Sequence, residues 1–132
     1  MRCASPSVIT EWYSSALPPP PFLPCKDFAP EPNTYDVIWI QWVIGHLHDL
    51  DFIQFFRRCV RGLRPGGVIV LKDNCCSDWT FVLDKDDRSV ARCVDYIRLL
   101  FRMAGLRILH EGLQMGFPKE LYPVKMFAVV QA

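Results

Sequence analysis

Three groups of polar and aromatic side chains hold the residues able to do chemistry, and each lies beyond an apolar run. Gln41, Trp42 and His46 follow the VIWI run at 37–40. Asp73 and Asn74 follow the VIVL run at 68–71, and Asp84, Asp86, Asp87 and Ser89 lie in the stretch beyond. Aromatic faces attract cations, and neighbouring carboxylates raise that preference. If the fold brings the groups together they form an acidic, aromatic crevice suited to a cationic substrate. Each residue also has a plainer reading. Asp87 and Ser89 fit a helix cap, His46 a hydrogen-bonded, partly buried histidine, and Trp42 a core position. Residue types alone leave the substrate open.

The elements that must position these groups are legible as runs and periods. An unbroken apolar run, unlike an alternating one, argues for a strand buried on both faces, as in a parallel sheet. Residues 35–41 are read as such a strand, the one around which the chain is organised, and 68–71 as a second. Between them a helix is expected from His48-Asp49 to about Gly62. Asp49 or Asp51 serves its positive end, and Ile53, Phe56 and Val60 mark its buried face. Arg57, Arg58 and Arg61 lie opposite, as solvated surface. Arg64-Pro65-Gly66-Gly67 turns the chain. Strand, helix and strand at this spacing form a right-handed βαβ unit, so both polar clusters fall on one edge of a sheet, where open α/β folds hold their ligands. Residues 75–85 read as a loop carrying Trp79 and Phe81. A second helix is expected over about 87–104, with Val90, Val94, Ile97 and Ala104 on its buried face and Gly105 closing it. Strands follow at 106–113 and 124–130, with a loop at 114–123 between them.

The 132 residues allow one domain at most. The net charge of +1 gives no reason to expect nucleic acid or a membrane surface as a partner. No apolar run approaches the ~20 residues of a membrane span. Six cysteines, at 3, 25, 59, 75, 76 and 93, show no CxxC and no histidine at paired spacing. Cys59 and Cys93 fall on expected helix faces, so a reducing compartment and a soluble intracellular chain are the reading. Residues 1–26 differ from the rest. They hold Pro6, a proline run at 18–21 and Pro24, and are read as a disordered, proline-rich tail rather than a ligand for an SH3-type groove.

The segments YDVIWIQWVIGHL, FFRRCVRGLRPGGVIVLKDN, LDKDDRSV and FPKELYPVKMFAV resemble the α-N-terminal protein methyltransferases over about residues 26–132. Members of that family methylate the exposed N-terminal amine of Xaa-Pro-Lys proteins with S-adenosylmethionine. The resemblance implies the C-terminal half of a Rossmann-like (class I) α/β methyltransferase with a mostly parallel sheet, working in nucleus and cytoplasm without a metal. It places Gln41, Cys25 and Lys26 at the methyl donor. It sets Trp42 against the substrate proline and Asn74 on the backbone of the first residue. Asp84, Asp87 and Ser89 receive the substrate lysine and amine, and Leu121 and Tyr122 form a lid. His46 and Asp87 are the candidate proton acceptors. The chemistry agrees: an α-amine with a pKa near ~8 is mostly protonated at neutral pH, and a base must take its proton before the lone pair can attack. The residues Trp42, Asn74, Asp84, Asp87 and Ser89 match a peptide-specific pattern, which disfavours a small-molecule substrate.

One departure from the family is large. No GxG lies upstream of Tyr35, so the glycine-rich donor loop is missing from residues 27–132, and 1–26 are too short for the strands and helices that precede it in the class. The expectation is a truncated methyltransferase joined to an unrelated leader, with its first strand a bare sheet edge. Weak or no methyl transfer follows. The alternative is a non-catalytic fragment that binds Xaa-Pro-Lys tails or pairs with a full-length relative through that edge.

Overall fold

The computed structural model of the chain describes residues 3–4, 27–77 and 81–132. Most of the leader, including Cys25 and Lys26, lies outside the described residues, as does Trp79. A mixed sheet carries the fold. β1 (Cys3–Ala4) runs parallel to β2 (Tyr35–Gln41), which runs parallel to β3 (Leu63–Cys76). Beyond β3 the sheet divides. Ile69 to Asn74 pair antiparallel with β7 (Val124–Gln131), and β7 pairs antiparallel with β6 (Leu106–Leu113). The last two residues of β3, Cys75 and Cys76, instead pair parallel with β5 (Val90–Cys93), whose other edge holds β4 (Phe81–Leu83). Pro123 stands at the division. It has no N–H to continue the ladder, and its carbonyl accepts the Cys75 N–H at 2.8 Å.

Two helices, α1 (Asp49–Gly62) and α2 (Val94–Met103), join the sheet in one core. The rings of Phe52, Phe55, Phe56, Phe101 and Phe127 run through it in tilted and edge-on contacts, with centroids 4.6–5.7 Å apart. Ile38, Ile40, Ile69 and Leu71 point into this layer and are fully buried. The alternate residues Val37, Trp39, Val68 and Val70 are only half-buried. The apolar runs were expected to be buried on both faces; among the described residues one face is covered fully and the other in part.

The strand over 35–41, the strand over 106–113 and the loop at 114–123 fall where the sequence places them. Three expectations change. The sheet is mixed rather than mostly parallel, because β4, β6 and β7 form hairpin-type pairs. The edge of β2 is not bare: Cys3 and Ala4 stand opposite Val37 and Ile38. The second helix starts at Val94, not at 87. Residues 81–93 form a hairpin, and Val90 lies on a strand rather than on a helix face. No helix among the described residues is long and apolar enough to cross a membrane.

Candidate functional site

The division of the sheet opens a cleft of about 590 Å³ between the ends of β2 and β3 and the β4–β5 hairpin. Three of its walls are turns whose shapes follow from their residues. The first begins at Trp42, directly after β2. Its backbone is left-handed, φ 53°, a conformation that costs a bulky residue on the order of 1–3 kcal/mol. The Trp42 N–H still bonds the Lys72 carbonyl at 3.1 Å, so the ladder fixes the ring at the sheet's edge. The indole is 50% exposed, and the Lys72 ammonium lies 5.7 Å from its centroid. Trp42 is therefore not core. A short 3-10 turn (Ile44–His46) follows, anchored by buried Ile44 and leaving His46 exposed on the cleft. Gly45 lets this turn press on the hairpin: a Cβ there would meet the Val90 carbonyl at 3.2 Å.

The second wall is the turn at 84–89. The Asp84 carboxylate accepts the Asp86 N–H at 2.8 Å, the Asp84 N–H donates to the Ser89 carbonyl, and the Asp87 carboxylate accepts the Ser89 N–H at 2.8 Å. Asp87 and Ser89 thus shape a hairpin turn, not a helix cap. The Ser89 hydroxyl and N–H, aided by the charge of His46, hold the Asp87 carboxyl below the usual carboxylate range. The third wall is the loop at 114–123, which contributes Phe117, Leu121 and Tyr122.

Asn74 and Asp73 form the floor. Asn74 is exposed, whereas Asp73 is 7% exposed. Burial raises the Asp73 carboxyl to about 6, against the downward pull of the Asn74 N–H and weaker pulls from the Ile44 and Val43 N–H groups and Arg92. One oxygen accepts the Asn74 N–H at 2.8 Å; the other closes no hydrogen bond.

Sequence reasoning missed what ties two of the walls together. Arg92 of β5 is 2% exposed and donates to the carbonyls of Ile44 at 3.1 Å and Leu47 at 2.5 Å, one on each side of His46. It also forms an ion pair with Asp49 at 3.0 Å, and Asp49 accepts the Tyr96 hydroxyl of α2. The only signal in the sequence is a charge inside the otherwise apolar VARC. Every residue assigned to substrate or proton transfer lines the cleft: Trp42, His46 and Asn74 from the sheet ends, Asp84, Asp87 and Ser89 from the hairpin, Leu121 and Tyr122 from the loop. Gln41 does not. It sits at the end of β2, its side-chain oxygen accepting the Trp39 indole N–H at 3.0 Å.

An α/β sheet of this connectivity, with a cleft at its strand ends, is that of S-adenosylmethionine-dependent methyltransferases. A solved enzyme of that kind from Leishmania major superposes with a TM-score of 0.75 at 39% identity, over 80% of this chain and 42% of that one. The 1,6-didemethyltoxoflavin N1-methyltransferase of Burkholderia thailandensis shares the fold at 18% identity, with a TM-score of 0.68 over 83% of this chain and 49% of its own. Within that class the family model described as AdoMet-dependent proline di-methyltransferase matches residues 21–130, and the chain belongs to this family. The chain is 53% identical over 104 residues to the alpha N-terminal protein methyltransferase 1 of Dictyostelium discoideum. It is 52% identical over 104 residues to the N-terminal Xaa-Pro-Lys N-methyltransferase 1 of Rattus norvegicus. Each match takes in 79% of this chain but 38% and 46% of the relative, so the chain spans less than half of either.

Proposed function

We propose that the chain carries the peptide-binding half of a protein α-N-methyltransferase, acting on the exposed N-terminal amine of Xaa-Pro-Lys proteins. The convergence of Trp42, Asn74, Asp84, Asp87 and Ser89 on one cleft carries this reading. Exposed Trp42 offers its indole to a flat, rigid proline ring, and Asn74 offers an amide to the first residue's backbone. The turn at 84–89 holds its carboxylates toward a lysine ammonium. His46 and Asp87 flank the amine, and Leu121 and Tyr122 close over it.

S-adenosylmethionine is the family's methyl donor, and when bound it supplies a methyl group on a sulfonium. The described residues fit it in part. Gln41 keeps its side-chain N–H₂ to donate while its oxygen is held by Trp39. No glycine-rich loop stands among these residues, and no step here is routed through the donor. That Cys59, Cys75, Cys76 and Cys93 are buried thiols supports work in the reducing nucleus and cytoplasm.

The test is methyl transfer under stoichiometric enzyme, read by mass spectrometry of an Ala-Pro-Lys peptide. A methyl on the α-amine, absent from the Nα-acetylated peptide, supports the reading. A methyl on the lysine side chain overturns it. Peptide binding without transfer would reduce the chain to a binding fragment.

A further inference from the structure

Cys76 and Cys93 stand opposite each other at the ends of β3 and β5, as register partners in a parallel ladder of two residue pairs. Neighbouring strands lie about 4.8 Å apart and opposed side chains leave the same face, which falls within the Cα spacing of about 4.4–6.8 Å that a disulfide bridges. Both residues are thiols, 6% and 5% exposed, and both line a second cleft of about 250 Å³ with Ser77, Asp95 and Lys125. This cleft shares no lining residue with the one holding Trp42 and Asn74. We infer that Cys76 and Cys93 are a redox-active dithiol, closed to an intrachain disulfide by a small peroxide and reopened by a thiol reductant.

The third cysteine nearby is set apart by its place. Alternation along β3 turns Cys75 to the opposite face, where it belongs to the apolar core and pairs in register with Arg92 rather than Cys93. Burial, aided by the neighbouring Asp73, Cys76 and Cys93, pushes its thiol up to about 12, so it does not supply an attacking thiolate. Among the described residues no group of three or more His, Cys, Asp or Glu side chains could hold a metal ion, which leaves the pair to thiol chemistry. In the first step one sulfur attacks the peroxide: its S–H bond and the O–O bond break, an S–OH group forms and water leaves. The second sulfur displaces that hydroxyl, the S–S bond forms and a second water leaves. The two sulfurs lose two electrons and the peroxide gains them; a thiol reductant later returns two electrons and two protons. The hairpin that carries Asp84, Asp87 and Ser89 joins β3 through the Cys75–Arg92 and Cys76–Cys93 pairs. A covalent link at the second of these pins one wall of the larger cleft. In a reducing compartment the pair rests as thiols and closes under peroxide.

The experiment exposes the full chain to an excess of hydrogen peroxide, blocks the remaining thiols with N-ethylmaleimide after denaturation, and maps tryptic peptides by mass spectrometry with and without dithiothreitol. The expected product joins residues 73–85 to residues 93–98 with the loss of two hydrogens. Fragmentation should place the bond on Cys76, and dithiothreitol should release it. Amide hydrogen exchange over Val90–Cys93 should slow about tenfold or more on oxidation and recover on reduction. Cys75→Ser should leave the link in place, and Cys93→Ser should abolish it. A bond on Cys75, a sulfinic acid without a link, an unmodified pair, or a link found only between two chains overturns the assignment. A link that leaves the exchange unchanged overturns the pinning of the cleft wall. The bond is mapped on the parent chain, so the result does not depend on whether either variant folds.

Discussion

A tryptophan held in the left-handed region is costly, and Trp42 is held there by the Lys72 carbonyl on one side and by the turn to buried Ile44 on the other. Glycine adopts that conformation without a Cβ penalty. Trp42→Gly should therefore be more stable than Trp42→Ala by about 1 kcal/mol in denaturant melts, while both lose peptide binding. Asp73 bears on stability through its burial. Its folded pKa, about 6, lies above the 3.8 of an ordinary aspartate, so the folded state holds the proton more tightly. Stability contributed by this group is full below pH 3.8 and lost as pH rises through 6. Asp73→Asn should then melt higher than the parent at pH 8, by roughly 1–3 kcal/mol, with the difference gone near pH 4. A destabilising variant at pH 8 would mean that the carboxylate is well paired.

At the scale of elements, the cleft depends on a bracket rather than on any one strand. Arg92 reaches from β5 to both sides of the His46 turn and to the first residue of α1. Arg92→Ala leaves the Ile44 and Leu47 carbonyls and Asp49 without their donor. It should cost about 3–5 kcal/mol in urea unfolding, whereas Tyr96→Phe, which removes one hydrogen bond to Asp49, should cost about 1 kcal/mol. Equal costs for the two would place the bracket's energy elsewhere. The start of α2 shows where local reading failed. Asp87 and Ser89 look like capping residues, and Val90 stands at helical spacing from Val94. Long-range pairing decides otherwise, because Arg92 and Cys93 find Cys75 and Cys76 of β3, and Phe81 to Leu83 close the hairpin. Trp42, His46, Asp73 and Asn74 were legible because they follow apolar runs, and runs are local, whereas Leu121 and Tyr122 came only from the family resemblance. The burial of Asp73 and the reach of Arg92, whose partner Asp49 lies 43 residues away, are set by packing between distant elements. Cys75 belongs with these: burial pushes its thiol up to about 12, so it packs as a small apolar group.

For the whole molecule, one sheet face is sealed by α1 and α2 while Val37, Trp39, Val68 and Val70 on the other stay half-buried, in a chain that spans less than half of its curated relatives. The described residues hold the cleft between the ends of β2 and β3 and the β4–β5 hairpin. The proposed function requires this cleft to recognise proline in the second position, between Trp42 and the loop carrying Leu121 and Tyr122. The most direct test is isothermal titration of the full chain with an Ala-Pro-Lys peptide and with its Ala-Ala-Lys counterpart, each with and without S-adenosylmethionine. The proline peptide is expected to bind at least about tenfold tighter than the alanine peptide, with Trp42→Gly erasing the difference. Equal affinity for the two peptides, or a preference that survives Trp42→Gly, would contradict it.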